Sequence, residues 1–163
     1  MPRYGLRGDA VYIALGITMT IQQIPNVRVW LQGRDYVESA EILLDYNRVQ
    51  PAAVVAGLAI EIFIKSFLAT RHATGHATTE RGHSGTAMFQ KLPATLQDEL
   101  LVCSSEVDTA VDFVAELTKH DGAFVLGRYW YEPTASKVLS SDTVYFARHL
   151  CETVFLLGQK RSA

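Results

Sequence analysis

Pro51-Ala52-Ala53-Val54-Val55-Ala56-Gly57-Leu58-Ala59-Ile60-Glu61-Ile62-Phe63-Ile64-Lys65 is the stretch that decides the fold. Nearly every position from Ala52 to Ile64 is apolar, and Pro51 suits the first turn of a helix because its fixed φ is helical and its missing N–H would be unpaired there anyway. The run therefore predicts a helix reaching about Thr70, apolar all round and so buried at the centre of the molecule. Glu61 and Lys65 stand four apart on one face, in the favourable order. Exposed, such a pair contributes only about 0.2 to 0.5 kcal/mol; buried, each charge must hold the other as a structural ion pair or bind something else.

Outward from this helix the periodicity stays helical. Gln32 to Asn47 sets Tyr36, Val37, Ala40, Leu43, Leu44 and Tyr46 against Arg34, Asp35, Glu38, Glu41 and Asp45, the pattern of an amphipathic helix with a wet charged face. After a Gly, Thr and His loop, His72 to Gly85, Ser84 is placed to cap a short helix through Lys91. Pro93 with Thr95-x-x-Asp98 opens another through about Cys103. Val107, Ala110, Val111, Val114 and Leu117 predict a helix from Ser105 to about His120, with Gly122 as its stop. Asp142 is the expected cap of a last helix whose stripe is Phe146, Leu150, Val154 and Leu157. No strand alternation occurs after residue 30. The expected fold is all-α, an antiparallel helical bundle of about five main helices.

Residues 1–30 read as an N-terminal extension of uncertain structure, and 31–163 as the bundle. Val11 to Ile17 suits a buried helix or a strand, and Pro25 breaks what precedes it. Met19 offers an internal start that would place Met1 to Thr18 upstream of the native protein. The charge-free run Ala10 to Val27 carries Thr18, Thr20, Gln22, Gln23, Pro25 and Asn26, a poor membrane span, so no membrane partner is expected. With 163 residues and 48% hydrophobic content the chain is long enough for one cored domain. A net charge of -2 gives no global attraction to a polyanion, so any nucleic-acid contact needs a local cationic cluster. Two cysteines, Cys103 and Cys151, give no reason for a staple and fit a reducing cytoplasm.

Chemistry concentrates at Arg128-Tyr129-Trp130-Tyr131-Glu132, which comes just after His120-Asp121-Gly122-Ala123-Phe124. Arg128 suits a clamp on phosphate or carboxylate; an internal pair with Glu132 is favoured over that role. Tyr129, Trp130 and Tyr131 can stack on a base, or close the core from a short extended piece. His120 suits acid or base work oriented by Asp121, or simply complements a helix C-terminus. His72, His76 and His83 are too loosely spaced, with only Glu80 nearby, to predict a metal site, and a solvated loop is the favoured reading. No nucleophile elbow, phosphate-cradling glycine loop or cysteine metal framework is present, and no cofactor is expected.

The central segment Ala56 to Lys65, the His83 to Phe89 segment with Leu92, and Phe124 to Glu132 together resemble, in this order, the HEPN superfamily of bacterial and archaeal helical bundles. The resemblance spans most of the chain from Gln32 to Glu132. It implies a five-helix bundle, a homodimer, and a role in nucleotide or RNA transactions in defence and toxin–antitoxin systems. Members that cut RNA carry a His four to six residues after an Arg, whereas no His stands between Arg128 and Ala135. Ser84 and Gly85 stand where an acidic residue and a leucine are expected. Arg71 and His76 meet that spacing only by chance, away from where the family places its site.

The resulting expectation is a HEPN-like binding module, non-catalytic or catalytically reduced, that takes a nucleotide, an RNA or a partner protein at Arg128, Tyr129, Tyr131 and Glu132, with His83 and His120 as further ligand-binding residues. Two rivals stand beside it: a metal-independent endoribonuclease using Arg128 and a distant His, and a purely structural subunit of a defence complex. The enzyme requires an imidazole close to Arg128.

Overall fold

The computed structural model describes residues 24–71, 77–78, 81–129 and 139–163. It is an all-helical bundle. The described helices are α1 (Val27–Asp45), α2 (Val49–Leu68), α3 (Gly85–Gln90), α4 (Ala94–Val107), α5 (Phe113–Lys119), α6 (Ala123–Gly127) and α7 (Ser141–Ser162). One two-residue antiparallel pair, β1 (Thr70–Arg71) with β2 (Ala77–Thr78), closes the chain beyond α2.

The apolar run becomes α2, and its environment explains its composition. Ala52, Ala53, Ala56, Ala59, Ile60, Phe63, Ile64 and Phe67 are buried on successive turns, because α1, α6 and α7 surround the helix. By length and composition α2 could cross a bilayer, yet its apolar side chains are taken up by the core of the bundle. Phe63, Ile64, Leu96, Leu100, Leu117, Leu150 and Leu157 are its largest fully enclosed members.

α1 and α2 form an antiparallel hairpin. Asn47 turns the chain at a φ of 61°, the left-handed conformation that Asn tolerates better than most residues. At the other end, the Asn26 amide donates to the Ser66 carbonyl at 2.8 Å. The α7 stripe expected from periodicity, Phe146, Leu150, Val154 and Leu157, is buried, and Lys160 and Arg161 lie in its last turn.

Three boundaries differ from the periodic reading. α1 starts at Val27 rather than Gln32, because the Asn26 side chain accepts from the amides of Arg28 and Val29. Trp30 belongs to the bundle: it stacks on Phe155 with centroids 5.5 Å apart, and its Nε1 donates to the Cys151 carbonyl. A division between residues 30 and 31 therefore cuts through a helix. The expected helix Ser105 to His120 is two elements. α4 runs on to Val107, and two aspartates separate it from α5, Asp108 accepting from the Ala110 amide and Asp112 capping α5 at Ala115. Short acceptors of this kind compete with the helical ladder. The cap of α7 is Ser140, whose hydroxyl accepts from the Asp142 amide.

Candidate functional site

The site forms where α2, the loop before α3 and the turn into α6 meet. Glu61 points from α2 with its side chain only 5% exposed, and Lys65 one turn later donates to its Oε1 at 2.5 Å. The same carboxylate receives a second donor from another part of the chain. His83 Nδ1 lies 3.0 Å from Oε2 and 3.2 Å from Oε1. A carboxylate can only accept, so Nδ1 is the donating nitrogen. The His83 ring is about half exposed, at 51%.

Two further contacts fix where this imidazole sits. Ser84, the next residue, donates through Oγ to Asp121 Oδ2 at 2.8 Å and accepts from the Ala87 amide as the cap of α3. Asp121 in turn precedes Gly122, whose φ of 76° swings the chain from α5 into α6. α6 carries Phe124, and the His83 ring packs on it with centroids 5.7 Å apart and planes tilted by 49°.

Arg128 comes directly after α6, and its guanidinium lies 4.8 Å from the Phe124 centroid and 5.9 Å from that of Tyr129. These are cation–π distances. His83 and Arg128, 45 positions apart in the chain, thus pack on one aromatic ring. Both remain exposed, as does Tyr129. Glu61 and Lys65 offset each other, and among the described residues Arg128 has no carboxylate partner. The result is a rim with one fixed cation and one imidazole, backed by a buried ion pair, a geometry that can receive an anion with charge-assisted hydrogen bonds.

His120 has a different environment. Only 2% exposed, it bonds through Nε2 to Glu116 at 3.1 Å and through Nδ1 to Thr143 at 3.2 Å, and its ring stacks on Phe146. Burial pushes its pKa down, against the pull of Glu116. The structure places it in the core, beside the stacked pair Phe146 and His149, and not with Arg128. Tyr131, Glu132 and Trp130 lie outside the described residues, as do His72 and His76. Among the described residues no group of three or more metal-ligating side chains converges. Cys103 and Cys151 are free and buried, and burial pushes the Cys151 thiol up to about 11.

Sequence reasoning grouped both His83 and His120 with Arg128 and kept the Glu61–Lys65 pair apart as structural. It missed Phe124 as the shared platform and Asp121 as the anchor of the His83 loop. No local pattern carries that information, because each contact joins elements distant in the chain. Comparison with known proteins finds no family model, curated protein or solved structure that matches the chain.

Proposed function

We propose that the chain is a HEPN-like binding module that takes a nucleotide or RNA by its phosphate at the rim formed by His83 and Arg128. The observation that supports this reading is the convergence of the exposed imidazole and guanidinium on Phe124. A planar guanidinium gives two parallel donors to a phosphate, and the exposed Tyr129 adds an aromatic face on which a base can stack. The chain's net charge of -2 makes the expected affinity modest, and its salt dependence shallow, since one local cation carries the attraction.

A second reading has a specific observation in its favour. The motif lacks a His shortly after Arg128, yet His83 from another loop packs on the same Phe124 ring, which supports it as the imidazole that a metal-independent endoribonuclease would need. The deciding experiment incubates a labelled oligoribonucleotide in EDTA with the wild type and with Arg128→Ala, His83→Ala and His120→Ala. Binding that weakens in Arg128→Ala, without cleavage, is the expected result. Cleavage by the wild type that is lost in Arg128→Ala and His83→Ala would establish the enzyme instead. Neither binding nor cleavage would leave a structural subunit of a larger complex, cytoplasmic and without cofactor, as the reading.

The proposal includes a homodimer. Tyr145 and Phe155 on α7 are 64% and 50% exposed, while their neighbours Phe146 and Leu150 are buried within the chain. That leaves two aromatic side chains on the outer face of α7, with Arg148 and Glu152 between them, as contacts for a second copy.

A further inference from the structure

We propose that Glu61 is a positioning residue for His83: its buried carboxylate holds the Nδ1–H edge of the imidazole, so that Nε2 is the edge presented at the rim beside Arg128. This rests on the phosphate-binding reading for its purpose, but not for its geometry.

Glu61 differs from an ordinary partner of Lys65. Lys65 Nζ lies on Oε1, whereas His83 Nδ1 bridges both oxygens at 3.0 and 3.2 Å. In a five-membered ring Nε2 lies across from Nδ1, so a ring that turns Nδ1 toward a carboxylate 5% exposed turns Nε2 away from the protein. The neutral ring then carries its proton on Nδ1 and leaves the Nε2 lone pair open. Free histidine prefers the opposite tautomer, and a hydrogen-bonded carboxylate is the standard means of reversing it.

The rest of the surroundings serve the same orientation. Phe124 packs against the ring, and the bond from Ser84 to Asp121 pins the next residue of the loop. Among the described residues, the charged groups about the imidazole are Glu61 and Lys65 on α2, Asp121 in the turn, and Arg128 after α6, which shares the Phe124 ring. A half-exposed surface histidine does not need three such contacts for stability. They are what a precise hydrogen-bonding edge requires, since a group held loosely loses most of its directional advantage.

Nitrogen NMR of the imidazoles in the ligand-free wild type tests this directly. His83 in its neutral form is expected to show the Nδ1–H tautomer; a dominant Nε2–H form would overturn the proposal whether or not RNA binds. In Glu61→Met, which removes both acceptor oxygens at similar volume and is checked for wild-type helicity by circular dichroism, the tautomer should move back toward Nε2–H. The affinity for a labelled oligouridylate should also fall roughly tenfold, the loss of one oriented hydrogen bond donated by a ribose 2′-hydroxyl to Nε2, the phosphate itself being held by Arg128. An unchanged tautomer in folded Glu61→Met would likewise overturn it, because a carboxylate serving Lys65 alone would give that result. If the variant does not fold, the wild-type spectrum decides. A wild type that shows the Nδ1–H form but binds no oligouridylate would uphold the positioning and defeat only the phosphate-binding reading.

Discussion

Gly57 and Phe124 meet so closely that a Cβ on Gly57 would lie 2.7 Å from the Phe124 amide nitrogen. The Cβ of Ala123 would be 2.9 Å away. The absence of a side chain on α2 is therefore what lets α6 lie against it, and α6 carries the ring on which His83 and Arg128 pack.

Gly57→Ala should consequently displace α6. The added methyl meets backbone rather than a flexible side chain, so the expected destabilisation is about 1 to 3 kcal/mol. Urea titration measures it. The same variant should weaken binding at the rim more than its loss of stability explains, since Phe124 must move. A variant as stable as the wild type would show that α6 can shift freely.

Removing the carboxylate from the central helix has a larger effect. Glu61→Ala leaves the Lys65 ammonium, 13% exposed, without its partner at 2.5 Å, and the expected cost is about 3 to 5 kcal/mol. Glu61→Ala with Lys65→Met together should recover much of that loss, because the charge is removed with its partner. An unchanged thermal midpoint in the single variant would contradict the account.

The core histidines make stability depend on pH in a defined direction. Burial lowers the pKa of both His120 and His149 from the ordinary 6.5. Ser104 bonds to the Nε2 of His149 at 2.7 Å, and Glu116 and Thr143 bond to His120. The unfolded chain then binds more protons than the folded one below that value. Their contribution is fully present above about pH 6.5 and is lost as the pH falls through that value toward the lowered folded pKa values. Urea midpoints measured across this range should drop on the acid side, and His149→Gln should flatten the slope. A midpoint that rises on acidification would refute the assignment.

Tyr145→Lys tests the dimer. At 64% exposure the residue contributes little to the fold of one chain, so the thermal midpoint of the isolated subunit should hold. Sedimentation should nevertheless shift from twice the chain mass of 18.1 kDa to that mass itself. A wild type that sediments at 18.1 kDa at micromolar concentration would rule the dimer out.

The sequence alone determined the helical class and the central element, because those depend on local signals. An apolar run after Pro51 is driven out of water whatever its neighbours, Ser84 caps the short helix that begins at Gly85, and the stripe from Phe146 to Leu157 has helical spacing whatever packs on it. The boundaries at Asn26, Asp108 and Asp112 were harder to read, since a short polar side chain can cap, turn or merely face water, and its geometry decides which. Only the tertiary structure decided which histidine joins Arg128. His120 is far nearer in the chain, but the turn at Gly122 sends it into the core with Glu116 and Thr143. His83 arrives because Asp121 holds Ser84, Glu61 holds the ring, and Gly57 leaves room for Phe124 beside it. Each of those contacts joins residues from different elements, and the spacing of residues along a chain carries no record of such pairings.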